Sequence, residues 1–187
     1  YNNESRYEVA AYLFQKLFLE PDAYVVPPTV IRGMPYAHYK SIDADGLRTF
    51  DNPALVFFAL QYWLEHVDTE NIFDKDRFAA DSVYAKHIGN LNIFTYLIRH
   101  SDTNEGNFLI STIEGNPRVF AVDNGVAFAS ERSDRGYEWQ NLRVDRLPAE
   151  PIARLRKITS QAIFAALETV VQFEIQYGLP VPVIATD

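Results

Sequence analysis

The chain has 187 residues, and its 48% of hydrophobic and 14% of aromatic residues are enough to form the core of a compact domain. It carries 17 Lys and Arg against 25 Asp and Glu, and a formal net charge of −8 argues against a nucleic-acid partner. There is no cysteine, which excludes disulfides and thiolate metal sites, and no apolar run long enough for a transmembrane segment. We therefore expect a soluble protein, with the cytoplasm favoured.

The N-terminal part of the sequence predicts two helices separated by an extended stretch and a loop. Residues 4–19 have apolar side chains at helical spacing. Residues 24–31 are valine-rich around a Pro-Pro pair and are interpreted as extended. Residues 36–50 have little periodicity, which indicates a loop or irregular strand. Residues 51–66 open with Asp-Asn-Pro, a good helix start, so a second helix is predicted there.

The C-terminal part predicts a long helix, a hairpin and a final helical region. Residues 81–99 have an apolar inner side and indicate a helix. Residues 108–110 and 119–122 are short apolar runs on either side of a Gly-Asn-Pro turn, typical of a hairpin. Residues 152–177 are helical in pattern, and the Pro-rich residues 178–187 are interpreted as a terminal strap.

The residues that carry chemistry lie around this hairpin. The polar loop before it contains Asp102 and, five positions later, Asn107, and Asp123 follows its second strand. Phosphoryl transfer needs a divalent metal. Mg²⁺ keeps several of its water ligands, so it needs only one or two oxygen ligands from the protein. Asp123 and Asn107 are therefore candidate metal ligands, and Asp102 is a candidate for orienting an acceptor hydroxyl or taking its proton. Gly125 would let the backbone turn sharply.

The same pattern resembles a known superfamily. An Asp with an Asn five residues later, then Asp-x-Gly, is the kinase catalytic pattern, with His100-Ser101-Asp102 in place of His-Arg-Asp and Asp123-Asn124-Gly125 in place of Asp-Phe-Gly. Residues 122–128 are similar to type II phosphatidylinositol 4-kinases and their bacterial relatives, within the phosphatidylinositol 3/4-kinase-like atypical kinase superfamily. They also look like the secretory-pathway kinases that act on caseins and proteoglycan sugars. HipA-type toxin kinases share the Asp-to-Asn spacing.

The resemblance extends on both sides of these motifs, from Arg6 to Pro148. Residues 6–13 are similar to helix C of these kinases, and this implies that Glu8 pairs with the lysine that binds ATP. Trp139 and Leu147-Pro148 resemble the segment that follows the metal site in type II lipid kinases. The first lysine is Lys16, inside the proposed helix C, and no Gly-rich loop precedes Glu8, so the strands that usually carry these parts are not found in the sequence.

The fold that the resemblance implies is α+β and kinase-like, with a mostly helical C-lobe, a small catalytic hairpin and an incomplete N-lobe. We expect a single domain over residues 1–187, in which residues 1–50 are a remnant of the N-lobe with helix C and residues 51–187 form the C-lobe.

The implied function is a kinase that uses ATP and Mg²⁺ or Mn²⁺ to phosphorylate a hydroxyl, with a protein acceptor favoured. A phosphoinositide, another lipid or a small molecule is an alternative acceptor. A catalytically inactive pseudokinase that serves as a binding module is a second alternative, and adenylyl transfer is a third.

Each motif also has a simpler structural interpretation. Asp102 and Asn107 favour turns, and Asp-Asn-Gly is a common hairpin turn. Glu8 taken alone is most often a solvated helix charge, and His100 is more often packed than catalytic. The arginines of the C-terminal half form either a site for a phosphorylated substrate or a solvated basic face. They are Arg132, Arg135, Arg143, Arg146, Arg154 and Arg156.

Overall fold

The computed structural model describes residues 5–102, 104–128, 142–171, 173–177 and 179–183, and it shows a mixed α+β protein. Its N-terminal elements are α1 (Ser5–Gln15), β1 (Thr29–Pro35), α2 (Tyr36–Ile42), β2 (Leu55–Gln61), β3 (Val67–Asp68), α3 (Lys75–Ala80) and α4 (Ser82–Leu97). The elements that follow are β4 (Phe108–Ser111), β5 (Val119–Ala121), α5 (Ala149–Leu155), α6 (Ser160–Val171), β6 (Phe173–Gln176) and β7 (Leu179–Pro182). None of the helices in the described ranges has the length and apolar character needed to cross a membrane.

The strands form small antiparallel sheets. β1 pairs with β2 from Thr29 opposite Gln61 to Pro35 opposite Leu55. β3, β4 and β5 form a second sheet in that order, and β6 pairs with β7. Strands β1 and β2 lie on opposite sides of residue 50, which is the boundary predicted between the N-lobe remnant and the C-lobe. One sheet therefore combines residues from both predicted parts.

The main core surrounds α4. Its side chains Tyr84, Ile88 and Phe94 are essentially inaccessible to solvent and pack with Phe108 of β4 and Val119 of β5. Burial of large apolar side chains is the main favourable term in folding. The catalytic loop predicted from the sequence therefore follows directly from the most buried helix of the protein.

The start and the middle of α4 are each fixed by one residue. Asp81 caps the helix, because its carboxylate accepts hydrogen bonds from the backbone N–H groups of Val83 and Tyr84, both 3.0 Å long. Gly89 lies against Pro148, and a Cβ at this position would come within 2.5 Å of the proline Cδ. Glycine is thus required where the segment before α5 crosses the helix.

The structure corrects the predicted helix over residues 51–66. β2 occupies residues 55–61, and its Val-Phe-Phe sequence pairs with β1. Branched and aromatic side chains favour strands where a neighbouring strand is present, and that neighbour lies about 26 residues earlier in the chain, as the pairing of Thr29 with Gln61 and of Pro35 with Leu55 shows. The local Asp-Asn-Pro signal was therefore overridden by a long-range contact.

Two further predictions need correction. Residues 36–50, interpreted as a loop or irregular strand, contain helix α2. Residues 152–177, interpreted as one helical region, are divided into the end of α5, the whole of α6 and strand β6. The predicted helix over 81–99 and the hairpin strands at 108–110 and 119–122 are confirmed to within a few residues.

Gln15 joins the end of α1 to the chain before β1. Its side chain is fully buried, and its Nε2 donates to the Val26 carbonyl at 2.8 Å. Its Oε1 accepts hydrogen bonds from the backbone N–H groups of Val25 and Val26, again at 2.8 Å. One side chain therefore satisfies three buried backbone groups that would otherwise be unpaired.

We predict that Gln15→Ala lowers the free energy of unfolding by about 3 kcal/mol or more, because each buried polar group left without a partner costs about 1–3 kcal/mol. Chemical denaturation followed by circular dichroism measures the change. The control is Gln161→Ala at an exposed position of α6, where a change within about 0.5 kcal/mol is expected. Equal effects of the two substitutions would contradict the role given to Gln15.

Candidate functional site

The polar loop after α4 is hydrogen-bonded to the segment that follows β5. The Val122 N–H donates to the Asn107 carbonyl (2.9 Å), the Ser101 hydroxyl donates to the Val126 carbonyl (3.0 Å), and the Phe128 N–H donates to the Ile98 carbonyl (2.6 Å). These bonds lie at both ends and in the middle of the loop. They bring residues 98–107 alongside residues 122–128, although the 14 residues from 108 to 121 separate the two segments in the chain.

Asp123 has a left-handed backbone, with φ of 55°, directly after β5. Aspartate tolerates this conformation better than most residues. Its side chain is exposed, whereas Asn124 and Gly125 are buried. The Asn124 side chain donates a hydrogen bond from Nδ2 to the Ala121 carbonyl (3.3 Å). The backbone carbonyl of Asn124 accepts a hydrogen bond from the Ala127 N–H (2.9 Å). The turn thus presents the carboxylate of Asp123 while its neighbours are anchored in the core.

Glu8, in the first turn of α1, lies against the turn at Asp123. Burial raises the pKa of the Glu8 carboxyl, and the negative charge of Asp123 adds to the increase. Asn124 and the Gly125 backbone act in the opposite direction, because their polar groups favour the carboxylate and lower its pKa. The oxygen Oε2 is buried and has no hydrogen-bond partner in the described part of the chain. Glu8 is therefore directed inward, toward Asp123.

His100 lies beneath the loop and is fully buried. Its ring centroid is 5.6 Å from that of Phe108. Burial lowers the pKa of His100, while the nearby carboxylates of Asp102 and Asp123 and the local backbone act to raise it. The structure thus gives His100 a packing position between two of the candidate acids, in line with its interpretation as a packed residue.

Several buried polar atoms around the turn have no hydrogen-bond partner in the described ranges. They are Glu8 Oε2, both ring nitrogens of His100, Asn107 Nδ2 and Asn124 Oδ1. Buried polar atoms are nearly always paired in folded proteins, so a group of unpaired ones calls for an explanation. They come from α1, the polar loop and the segment after β5, which meet beside Asp123.

Asp123 and Asn107 fit a magnesium site in their chemistry. They offer one carboxylate and one amide oxygen on adjacent backbone segments, and Mg²⁺ is commonly held by one or two carboxylates together with substrate phosphates and water. Within the described residues there is no group of three or more His, Asp or Glu side chains that could hold a metal unaided.

The remaining predicted residues have local partners. Asp102 is half-buried, and its Oδ1 accepts a hydrogen bond from the Asn104 N–H (3.2 Å), so it also shapes the turn. Lys16 lies with its ammonium 4.0 Å from the ring centroid of Tyr12, and no ion pair with Glu8 is found in the part of the chain that the structure describes. Trp139 lies outside the described residues.

Sequence reasoning gave no role to Asn124, which the structure shows to be buried beside Glu8. The signal in the sequence was the position of Asn124 in the middle of the Asp-x-Gly turn, because a residue there lies beside any element that packs on the turn. The contact with α1 itself was not visible in the pattern, since it depends on how the helix packs.

No protein-family profile matches this chain, and a search of curated proteins finds no match either.

The raised pKa of Glu8 predicts a pH-dependent effect of Glu8→Gln. Stability from a protonated Glu8 is fully present below the ordinary carboxyl pKa of about 4.3 and is lost as pH rises through the higher pKa of the folded state. The amide keeps the neutral shape at every pH. The unfolding free energy of Glu8→Gln minus that of wild type should therefore increase as the pH rises from 4 to 7. Denaturant titrations at the two pH values measure this difference.

The control for this prediction is Gln161→Ala, which alters an exposed position of α6 without changing a titratable group. Its difference from wild type should be the same at both pH values. A pH-independent difference for Glu8→Gln would show that Glu8 is not held in the buried position described above.

Proposed function

We propose that this protein is a phosphotransferase of the phosphatidylinositol 3/4-kinase-like type, with a kinase-like fold, that uses ATP and Mg²⁺ or Mn²⁺ to phosphorylate a hydroxyl group on a protein. The observation that carries the proposal is the meeting of Glu8, Asn107 and Asp123 from three separate parts of the chain. Unpaired buried polar atoms accompany these residues, and functional sites are where such atoms are retained.

In this proposal each residue has one task. Asp123 and Asn107 hold the divalent ion, which when bound neutralises the charge on the nucleotide phosphates. Asp102 orients the acceptor hydroxyl and accepts its proton. The acceptor oxygen forms a bond to the γ-phosphorus, the bond from that phosphorus to the bridging oxygen breaks, and ADP departs.

Glu8 supports the site through the turn at Asp123. Its carboxylate lies against Asn124 and Gly125, so α1 and the turn keep a fixed relation to each other. In the kinases that the sequence resembles, this acid also binds a lysine that contacts ATP. A lysine that reached Glu8 would lower the pKa of its carboxyl and satisfy the unpaired Oε2.

A binding module without catalysis is the second candidate. Two observations favour it: no cationic side chain in the described ranges is paired with Glu8, and Asp102 is engaged in a local turn. Such a module would keep the shape of the site and bind a nucleotide or a partner without turnover.

We expect Asp123→Ala to abolish Mg²⁺-dependent or Mn²⁺-dependent ATP binding while the fold is retained, because it removes the only carboxylate proposed for the metal. Isothermal calorimetry with ATP, in the presence and absence of the metal, tests this on the full-length protein. The matched control is Asp76→Ala at an exposed position of α3, which should bind as wild type. Unchanged affinity in Asp123→Ala would rule out the ligand assignment.

Asp102→Asn separates the kinase from the binding module. In a kinase, loss of the positioning acid should lower turnover about 10²–10⁴-fold with ATP affinity nearly unchanged, because it acts on the acceptor hydroxyl. Transfer of labelled γ-phosphate to a generic protein acceptor or to the protein itself measures the effect at matched nucleotide occupancy. Equal activity of the two proteins would remove Asp102 from the mechanism, and no activity in either would favour the binding module.

A further inference from the structure

Two cavities lie side by side between α3 and the segment 142–148, away from the turn at Asp123. One has a volume of about 410 Å³ and the other about 340 Å³. Phe78, Ala79 and Arg146 border both, so the cavities adjoin at these residues and form one depression. We refer to this depression as the cationic groove, and the residues that line it are Phe73, Lys75, Phe78, Ala79, Ala80, Ser82, Ala85, Lys86, Arg143, Val144, Asp145, Arg146, Leu147 and Pro148.

The charge of the groove is opposite to that of the protein. Four cationic residues line it, Lys75, Lys86, Arg143 and Arg146, against one anionic residue, Asp145. The whole chain has 17 Lys and Arg against 25 Asp and Glu, so the balance of charge in the groove is the reverse of that in the chain. A local concentration of positive charge on an acidic protein attracts anionic ligands.

One of the four cations has a structural task. The Arg146 guanidinium donates from Nη2 to the carbonyls of Phe78 (2.5 Å) and Ala79 (3.4 Å), and its Cζ lies 4.9 Å from the centre of the Phe78 ring. Arg146 thereby binds the C-terminal end of α3 and holds the segment 142–148 in place. This fixes both walls of the groove.

The other three cations are available for a ligand. Across the ranges that the structure describes, no hydrogen bond or ion pair engages the side-chain nitrogens of Lys75, Lys86 or Arg143. Lys75 and Arg143 border the larger cavity, and Lys86 borders the smaller one. The positive charge is thus distributed along the groove, at both cavities.

The walls between the charges are apolar. Phe73, Phe78 and Val144 line the larger cavity, and Leu147, which is 48% exposed, lines the smaller one. Pro148 closes the end of the groove, where its close contact with Gly89 ties it to α4. An anion alone would leave this apolar surface in contact with water, so a ligand that matches the groove carries apolar groups as well.

We propose that the cationic groove is the docking site for an acidic peptide segment of a partner protein, in which carboxylates alternate with apolar side chains. The carboxylates pair with Lys75, Arg143 and Lys86, and the apolar side chains enter the two cavities. An extended chain suits this arrangement because its side chains alternate in direction. The docking does not depend on the proposed phosphoryl transfer, so it can be tested by binding alone.

The test uses a fluorescent peptide in which Glu alternates with Leu and Phe, with binding to the full-length protein measured by anisotropy. Lys75→Glu/Arg143→Glu reverses two charges in the groove, and Arg156→Glu/Lys157→Glu reverses two at exposed positions outside it. Both variants undergo the same change in net charge. We expect the groove variant to bind about tenfold more weakly or worse and the control to stay close to wild type.

Two further peptides separate charge from apolar contact. Replacing each Glu by Gln, or each Leu and Phe by Ser, should weaken binding about tenfold in either case. Equal loss in both protein variants would show unspecific attraction and overturn the proposal. Tight binding of the peptide with Ser in place of Leu and Phe would also overturn the proposal. So would inorganic phosphate or a single-stranded oligonucleotide that competes as effectively as the unlabelled peptide. Arg146 is left unchanged because its substitution would release α3.

Discussion

The hydrogen bonds between residues 98–107 and residues 122–128 are the constraint on which the candidate site depends. Ile98 ends the buried helix α4, and its carbonyl accepts the N–H of Phe128. At the other end of the loop, the Asn107 carbonyl accepts the N–H of Val122. The loop cannot move away from the turn at Asp123 without breaking buried backbone bonds, each of which is costly to leave unpaired. The polar loop is thus held beside the turn by its backbone, while Asp102 also accepts a local hydrogen bond from the Asn104 N–H.

Helix α1 contributes to the site because it is fixed at both ends. Its last residue, Gln15, is bonded to the backbone at Val25 and Val26, and Glu8 lies against Asn124 and Gly125. Between these contacts, Val9 and Ala10 pack in an apolar cluster with Ile31 of β1 and Val170 of α6. The same cluster touches Phe128, which follows the turn. The position of Glu8 therefore reflects packing from both ends of the chain, and changes in α6 would be felt at the turn through α1.

The sequence was informative where structure is determined locally. Helix α4 has a capping Asp81 and a largely apolar inner side, and the β4–β5 hairpin has a turn cluster between two apolar runs. Strand β2 was predicted as a helix because nothing in residues 55–61 reveals that β1 will pair with them. The order of Asp102, Asn107 and Asp123 could be recognised for the same local reason, since all three flank the hairpin. The contact of Glu8 with Asn124 depends on long-range packing and could be expected only through the resemblance.

Unpaired buried polar atoms do not identify a site by themselves, and Asn90 shows why. Both polar atoms of its side chain are buried without a partner in the described ranges, yet Asn90 lies in the middle of α4 and borders only a minute space of about 10 Å³. That volume is about enough for one water molecule, which would satisfy the amide. Around Asp123 the unpaired atoms come from three chain segments, and an exposed carboxylate lies among them. A single water would satisfy Asn90, whereas the unpaired atoms around Asp123 belong to three separate segments that meet at an exposed carboxylate, and this difference is what supports the nucleotide and metal site proposed above.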